Sequence, residues 1–193
     1  MAKKALDLTY KASGVDVDAA SQAMVLAQRD IRSTYGKAIV IPAGFFTGGM
    51  LVPDWVRKMK RPILIANSDG IGTLTHEAMA GPKYMARMGY SVANHNFMDL
   101  VASGGCPVAF LNTMDWQKVD PLLQAAALKW MARSCREVGA AILGGETASL
   151  AILIQQGEMI MNGTAIGYVD QCNIINGHER IKVGDIIIGV SSN

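Results

Sequence analysis

Only three cysteines occur among the 193 residues, Cys106, Cys135 and Cys172, and no two stand at a paired spacing. A disulfide framework and a cysteine zinc site are thereby excluded, and a reducing cytoplasm fits best. Long apolar runs are missing too. No segment approaches the ~20 residues of a membrane span, and Met1 to Tyr10 has two lysines but no apolar core of a secretory leader. Charged residues make up 18% of the chain and balance to a net +2, so the charge calls for neither nucleic acid nor a membrane surface as a partner. There is no Walker A sequence. The histidines, His76, His95 and His178, show no HxxxH spacing and read as surface or core residues rather than ligands.

What is abundant is apolar surface, half of all residues, enough for a substantial core. It comes in short runs such as IVIP, PILIA and DIIIGV, the pattern of buried strands. The spacing predicts a helix over Ala19 to Ser33, a strand entering the turn at Asp69 to Thr73, and helix over residues 74–89, interrupted near Gly81 and Pro82. A separate helix is expected from Ser91 to Ala102, then a strand through PVAFLNTM. The clearest helix follows Asp120, an N-cap with Pro121 at the first helical position; its apolar face includes Leu123, Ala127, Met131 and Cys135, and Gly139 stops it. Cys135 therefore reads as core. Strands are expected at AAILGGET, at Glu158 to Val169 and at Asp185 to Ser192. The result is an α/β or α+β domain, a sheet with at least two helices over one face.

Two segments could carry chemistry. Asp69-Gly70-Ile71-Gly72-Thr73 and Gly144-Gly145-Glu146-Thr147 each combine an apolar strand, glycines, an acid and a hydroxyl. Glycine lets backbone N–H groups approach phosphate oxygens, whereas a carboxylate repels phosphate unless a divalent cation lies between them. An ordinary turn explains either segment taken alone. A third acid, Asp99, is three residues from Asn96 on the expected helix; by pattern alone it reads as a solvated helix residue. Gly44, Gly48 and Gly49 suit either a mobile loop near a ligand or a plain turn.

The order of these segments resembles the N-terminal half of the phosphoribosylformylglycinamidine cyclo-ligases, or aminoimidazole ribonucleotide synthetases. YKASGVDVDA, Tyr10 to Ala19, is similar to the family's opening; Asp69 to Thr73 resembles its DGVGTK, Met98-Asp99-Leu100 its NDL, Gly104 to Leu111 its GAEPLFFL, and Gly144 to Ala148 its GGETA. The resemblance implies a PurM-like N-terminal domain of α+β (α/β-type) class: a mixed sheet covered by helices, with strands forming a barrel across a homodimer. Residues 1–170 would be the ATP-binding and dimerisation domain, with 1–43 as its N-terminal extension, and 171–193 the start of a connection to a C-terminal domain absent here.

The resemblance also implies ATP-dependent ring closure of formylglycinamidine ribonucleotide, with Mg2+ and in addition K+. Asp69, Asp99 and Glu146 would hold the metal, Asp99 also acting in catalysis. Asp69, Gly70, Gly72, Thr73, Gly144, Gly145, Glu146 and Thr147 would line the phosphate path, and Gly44, Gly48 and Gly49 would form the flexible loop. Departures accompany the matches. Leu74 stands where the family has lysine, Met98 replaces an asparagine, Cys106 a glutamate and Asn112 an aspartate, and Ser149 to Ile152 replace an acid-methionine-proline-glycine run. The family continues after a strand like DIIIGVSS into a GxHSNG segment and a second domain, so the expected partners include a separate C-terminal half or a homologous host enzyme. The alternative expectation is a non-catalytic, nucleotide-binding or regulatory homologue.

Overall fold

The computed structural model describes residues 16–191; Tyr10 to Val15 of the YKASGVDVDA segment lie outside them. In chain order the main elements are α1 (Val17–Arg32), β1 (Ile39–Ile41), β2 (Gly49–Met50), α2 (Asp54–Arg57), β3 (Pro62–Gly70), α3 (Leu74–Ala78), α4 (Pro82–Ala102), β4 (Cys106–Trp116), α5 (Pro121–Val138), β5 (Ala141–Ser149), β6 (Met159–Asp170) and α6 (Gly177–Arg180). Four strands form one sheet in the order β3-β6-β4-β5. β4 and β5 run parallel while the other neighbours are antiparallel. It is the mixed sheet that the family resemblance implies.

The alternation along β6 sets the layers. Met159, Met161, Gly163, Ala165, Gly167 and Val169 are buried while the residues between them are not, so one sheet face lies under helices and the other is more open. Phe110, Met114 and Trp116 of β4 join Met85 and Phe97 of α4 and Met131 of α5 in the core. Each such side chain contributes about 1.5–3 kcal/mol on leaving water. Cys135 belongs to this core, and burial pushes its thiol pKa up, which removes it as a nucleophile at neutral pH.

Helix α5 is bounded as its residues require. Asp120 accepts hydrogen bonds from the N–H groups of Leu122 and Leu123 at 2.9 and 3.1 Å, and Gly139 closes the helix with φ of 75°. Two expectations need correction. Helix α4 is continuous from Pro82, so the break falls at Gly81 and residues 91–102 are not a separate helix; Pro82 at the first turn starts a helix without losing a needed N–H. No strand forms over 185–191 among the described residues, where Ile186, Ile187, Ile188 and Val190 are exposed. An apolar run becomes a strand only where another backbone completes its hydrogen bonds.

Helices α4 and α5 meet at Gly89, where an added Cβ would collide with the Ala127 backbone. We predict that Gly89→Val destabilises the domain by about 2–3 kcal/mol, since overpacking a close helix contact outweighs small propensity effects. Urea unfolding should show a lower midpoint; an unchanged midpoint would show that the helices have room to separate.

The open face is partly covered by a small hairpin. Ile39 of β1, Met50 of β2 and Tyr35 pack on Val108, Ala109, Ala141 and Leu143, and the Tyr35 hydroxyl accepts the Ala43 N–H at 2.8 Å. Elsewhere on this face Leu64 and Ile160 stay exposed.

Candidate functional site

The segments singled out in the sequence are brought to two separate places. The first lies at the β3 edge, where Asp69 and Asn67 face α4. Asn96 is fully buried. Its Oδ1 accepts the Asp69 N–H at 3.0 Å, and its Nδ2 donates to the Asp69 carbonyl at 3.1 Å and the Val92 carbonyl at 2.8 Å. The amide thus pairs with an outer strand as a neighbouring peptide would. Asn67 Nδ2 donates to Asp99 Oδ2 at 2.8 Å, and His95 Nε2 donates to Asp69 Oδ2 at 3.0 Å.

Asp69, His95 and Asp99 each offer a ligand atom, all within 4.8 Å of one another. The His95 hydrogen bond, then the Gly70 N–H, hold the Asp69 carboxyl below its ordinary value of 3.8. A depressed carboxyl favours the folded state above its unfolded value, and that contribution is lost as the pH falls through the lowered one. Asp69 therefore stays ionised and able to meet a cation across the neutral range.

Glu146 does not join this cluster. Asp69 stands opposite Gly163, Gly163 opposite Asn112 and Asn112 opposite Gly145; three strand steps put about 14 Å between the two edges. Paired residues share a face, and Glu146 is one residue out of phase with Asp69, so it projects from the other side of the sheet. The expectation that three acids hold one cation gives way, within one chain, to Asp69 and Asp99 with His95 beside them. From sequence alone His95 reads as an ordinary surface or core histidine. The signal was present: His95 and Asp99 are four residues apart on one helix and so lie on one face.

The second place is a cleft of about 760 Å³ between β5 and the loop of residues 44–48. It is lined by Gly44, Gly48, Thr113, Gly144, Gly145, Glu146 and Thr147, with Phe45 and Phe46 at its exposed rim. Gly48 approaches the Leu143 carbonyl so closely that a Cβ would overlap it. Beneath, the buried Gln124 donates from Nε2 to Thr147 Oγ1 at 2.6 Å, while its Oε1 has no hydrogen-bond partner. Asp115, which no sequence motif marks, has its pKa raised by burial and then by the charge of Glu146.

The glycines differ from the expected cradle. Gly70, Gly144 and Gly145 lie within strands rather than after them. The Gly70 N–H donates to the Asp69 carboxylate at 2.7 Å and the Thr147 N–H to Glu146 at 2.9 Å, so each acid occupies the next residue's donor. Gly72 does turn the chain, with φ of 55°, and Thr73 precedes the short α3.

Residues 55–169 match the family described as AIR synthase related protein, N-terminal domain. The chain is 32% identical over 187 residues to the phosphoribosylformylglycinamidine cyclo-ligase of Thermodesulfovibrio yellowstonii, covering 97% of this chain and 53% of the relative. It is 34% identical over 188 residues to that of Alkaliphilus oremlandii, covering 97% and 54%. The chain thus spans about half the length of the curated relatives it matches. Among solved structures, thiamine-monophosphate kinase from Stenotrophomonas maltophilia superposes with a TM-score of 0.56 at 17% identity, over 77% of this chain and 42% of that one. The E. coli hydrogenase maturation protein HypE does so at 0.54 and 17%, over 86% and 47%. These two support the fold alone. No helix among the described residues is long and apolar enough to cross a membrane.

Proposed function

The chain belongs to the AIR synthase related family through its N-terminal domain, and from that premise we propose that it is the nucleotide-binding half of an ATP-dependent cyclo-ligase, closing formylglycinamidine ribonucleotide to aminoimidazole ribonucleotide. The observation that carries this reading is the cleft of about 760 Å³ bounded by the GGET segment and the 44–48 loop, within the ~300–1,000 Å³ typical of ligand sites. Gln124 supports it, because a buried amide with an unpaired oxygen suits a site completed by a ligand or water.

In this reading ATP supplies a phosphoryl group that makes the formyl oxygen able to leave. The protein's part is orientation and charge. Gln124 donates to the Thr147 hydroxyl oxygen, so the Thr147 proton is free to point at a phosphate oxygen. Gly48 lets the loop backbone close on β5, while Asp69 and Asp99 offer carboxylate oxygens to Mg2+, which fits their hard-oxygen chemistry. Calorimetric titration with Mg2+ and ATP should detect binding, and Thr147→Val should weaken it about 10–100-fold, the loss expected for a hydrogen bond to a charged group. Absence of ATP binding by the unsubstituted chain would overturn this reading. Binding without turnover, even with a C-terminal half added, would favour the non-catalytic homologue, to which Leu74 in place of lysine already points.

The assembly in this reading is a homodimer through the open sheet face, where Leu64 and Ile160 are exposed. Sedimentation should show a dimer that Ile160→Glu converts to monomer. A monomer at high micromolar concentration before substitution would remove the shared barrel.

A further inference from the structure

We propose that His95 is a third protein ligand at the Asp69–Asp99 cluster, so that this chain prefers a first-row transition dication such as Mn2+ to Mg2+. The inference rests on the reading of Asp69 and Asp99 as cation ligands and deepens it by naming the class of ion.

Three observations carry it. First, His95 Nε2 and Asp69 Oδ2 are 3.0 Å apart. Two ligand atoms about 2.1 Å from one ion, at a right angle, are themselves about 3.0 Å apart, so this pair already matches one edge of an octahedral site. Second, the Asp99 carboxylate completes a group whose members all fall within 4.8 Å, close to the ~4.2 Å separating opposite ligands around such an ion. Third, the Asp99 carboxylate is held from behind by Asn67, which donates to it at 2.8 Å as the outer partner of a metal ligand does, and the backbone that carries Asp69 is fixed on both sides by Asn96.

The donor chemistry decides the ion. Mg2+ favours oxygen ligands and retained waters, whereas imidazole nitrogen suits Mn2+, Co2+ and Zn2+ increasingly well. Binding through Nε2 leaves the ring proton on Nδ1 and replaces the hydrogen bond to Asp69 by a shared ion. His95 is half exposed, so its removal should spare the fold.

The test uses Mn2+ as the probe on the full chain, without nucleotide and with ATP. Pulsed electron paramagnetic resonance should show nitrogen coupling of a histidine to bound Mn2+, and calorimetry should show Mn2+ binding more tightly than Mg2+. His95→Gln should abolish the coupling and weaken Mn2+ by about tenfold or more, with Mg2+ changing less than about threefold and the circular dichroism spectrum unaltered. Mn2+ bound without nitrogen coupling would make His95 an ion-pair partner only, and the inference would fall while the nucleotide cleft kept its own test in Thr147→Val. No Mn2+ binding in either condition would overturn the cation cluster together with this inference, still separately from the cleft.

Discussion

Given ATP, Mg2+, K+ and formylglycinamidine ribonucleotide, the 193-residue chain alone will form aminoimidazole ribonucleotide at least about 10³-fold more slowly than a full-length cyclo-ligase relative. Ring closure needs the activated amide and the attacking nitrogen held together away from water. In this chain the β5 cleft opens between a loop with exposed phenylalanines and a sheet edge, and the Asp69–Asp99 cluster is likewise exposed. Leu74 offers no charge where the family's motif has a lysine, and losing one preorganised charged donor by itself costs about 10²–10³ in rate. Release of ADP and product, followed with and without the C-terminal half of a relative, provides the measurement. Turnover by the chain alone at the relative's rate would refute this expectation; turnover restored on addition would identify a half that acts in complex.

The second large effect is structural. Asn96→Leu should destabilise the domain by about 2–4 kcal/mol, because it strips hydrogen-bond partners from the Asp69 N–H and carbonyl and leaves the Asn67 amide one acceptor fewer. An unsatisfied buried polar group costs about 1–3 kcal/mol, and this side chain serves three backbone groups at once, the Asp69 N–H and carbonyl and the Val92 carbonyl. A leucine regains some apolar burial but cannot replace directed bonds. Urea unfolding followed by tryptophan fluorescence would register the loss, and a change below about 0.5 kcal/mol would show that water takes over both Asp69 groups.

Local rules made much of the fold readable from sequence. Asp120, Pro121 and Gly139 bracket α5 where capping chemistry puts its ends, and the alternation in residues 159–169 marks a strand with one face inward. Isoleucines 186–188 predict a strand that does not form among the described residues, for a reason of the same kind. Apolar runs report the wish to be buried, and only a neighbouring strand turns that into a ladder. Of the candidate site, Asp69 and Asp99 meet because a strand edge and a helix face happen to abut, which motif order suggested but spacing could not prove. The position of Glu146 depended on strand order, since β5 adds beyond β4 rather than beside β3. The role of His95 is not legible locally, because its partner acid, Asp69, is 26 residues away in sequence. Asp115 and Gln124 matter through burial and orientation, which no motif encodes.

The Asn96 clasp has a further effect beyond holding β3 to α4. An outer strand with free N–H and carbonyl groups is a template on which another chain can lay its own backbone. At Asp69 that template is already occupied by a side-chain amide, and at the opposite border the 44–48 loop sits against the Leu143 carbonyl of β5. Copies of this domain are thereby discouraged from joining border to border into an open-ended ribbon, and the flat of the sheet is the surface left for the homodimer proposed above, in which contact would close on itself and stop at two.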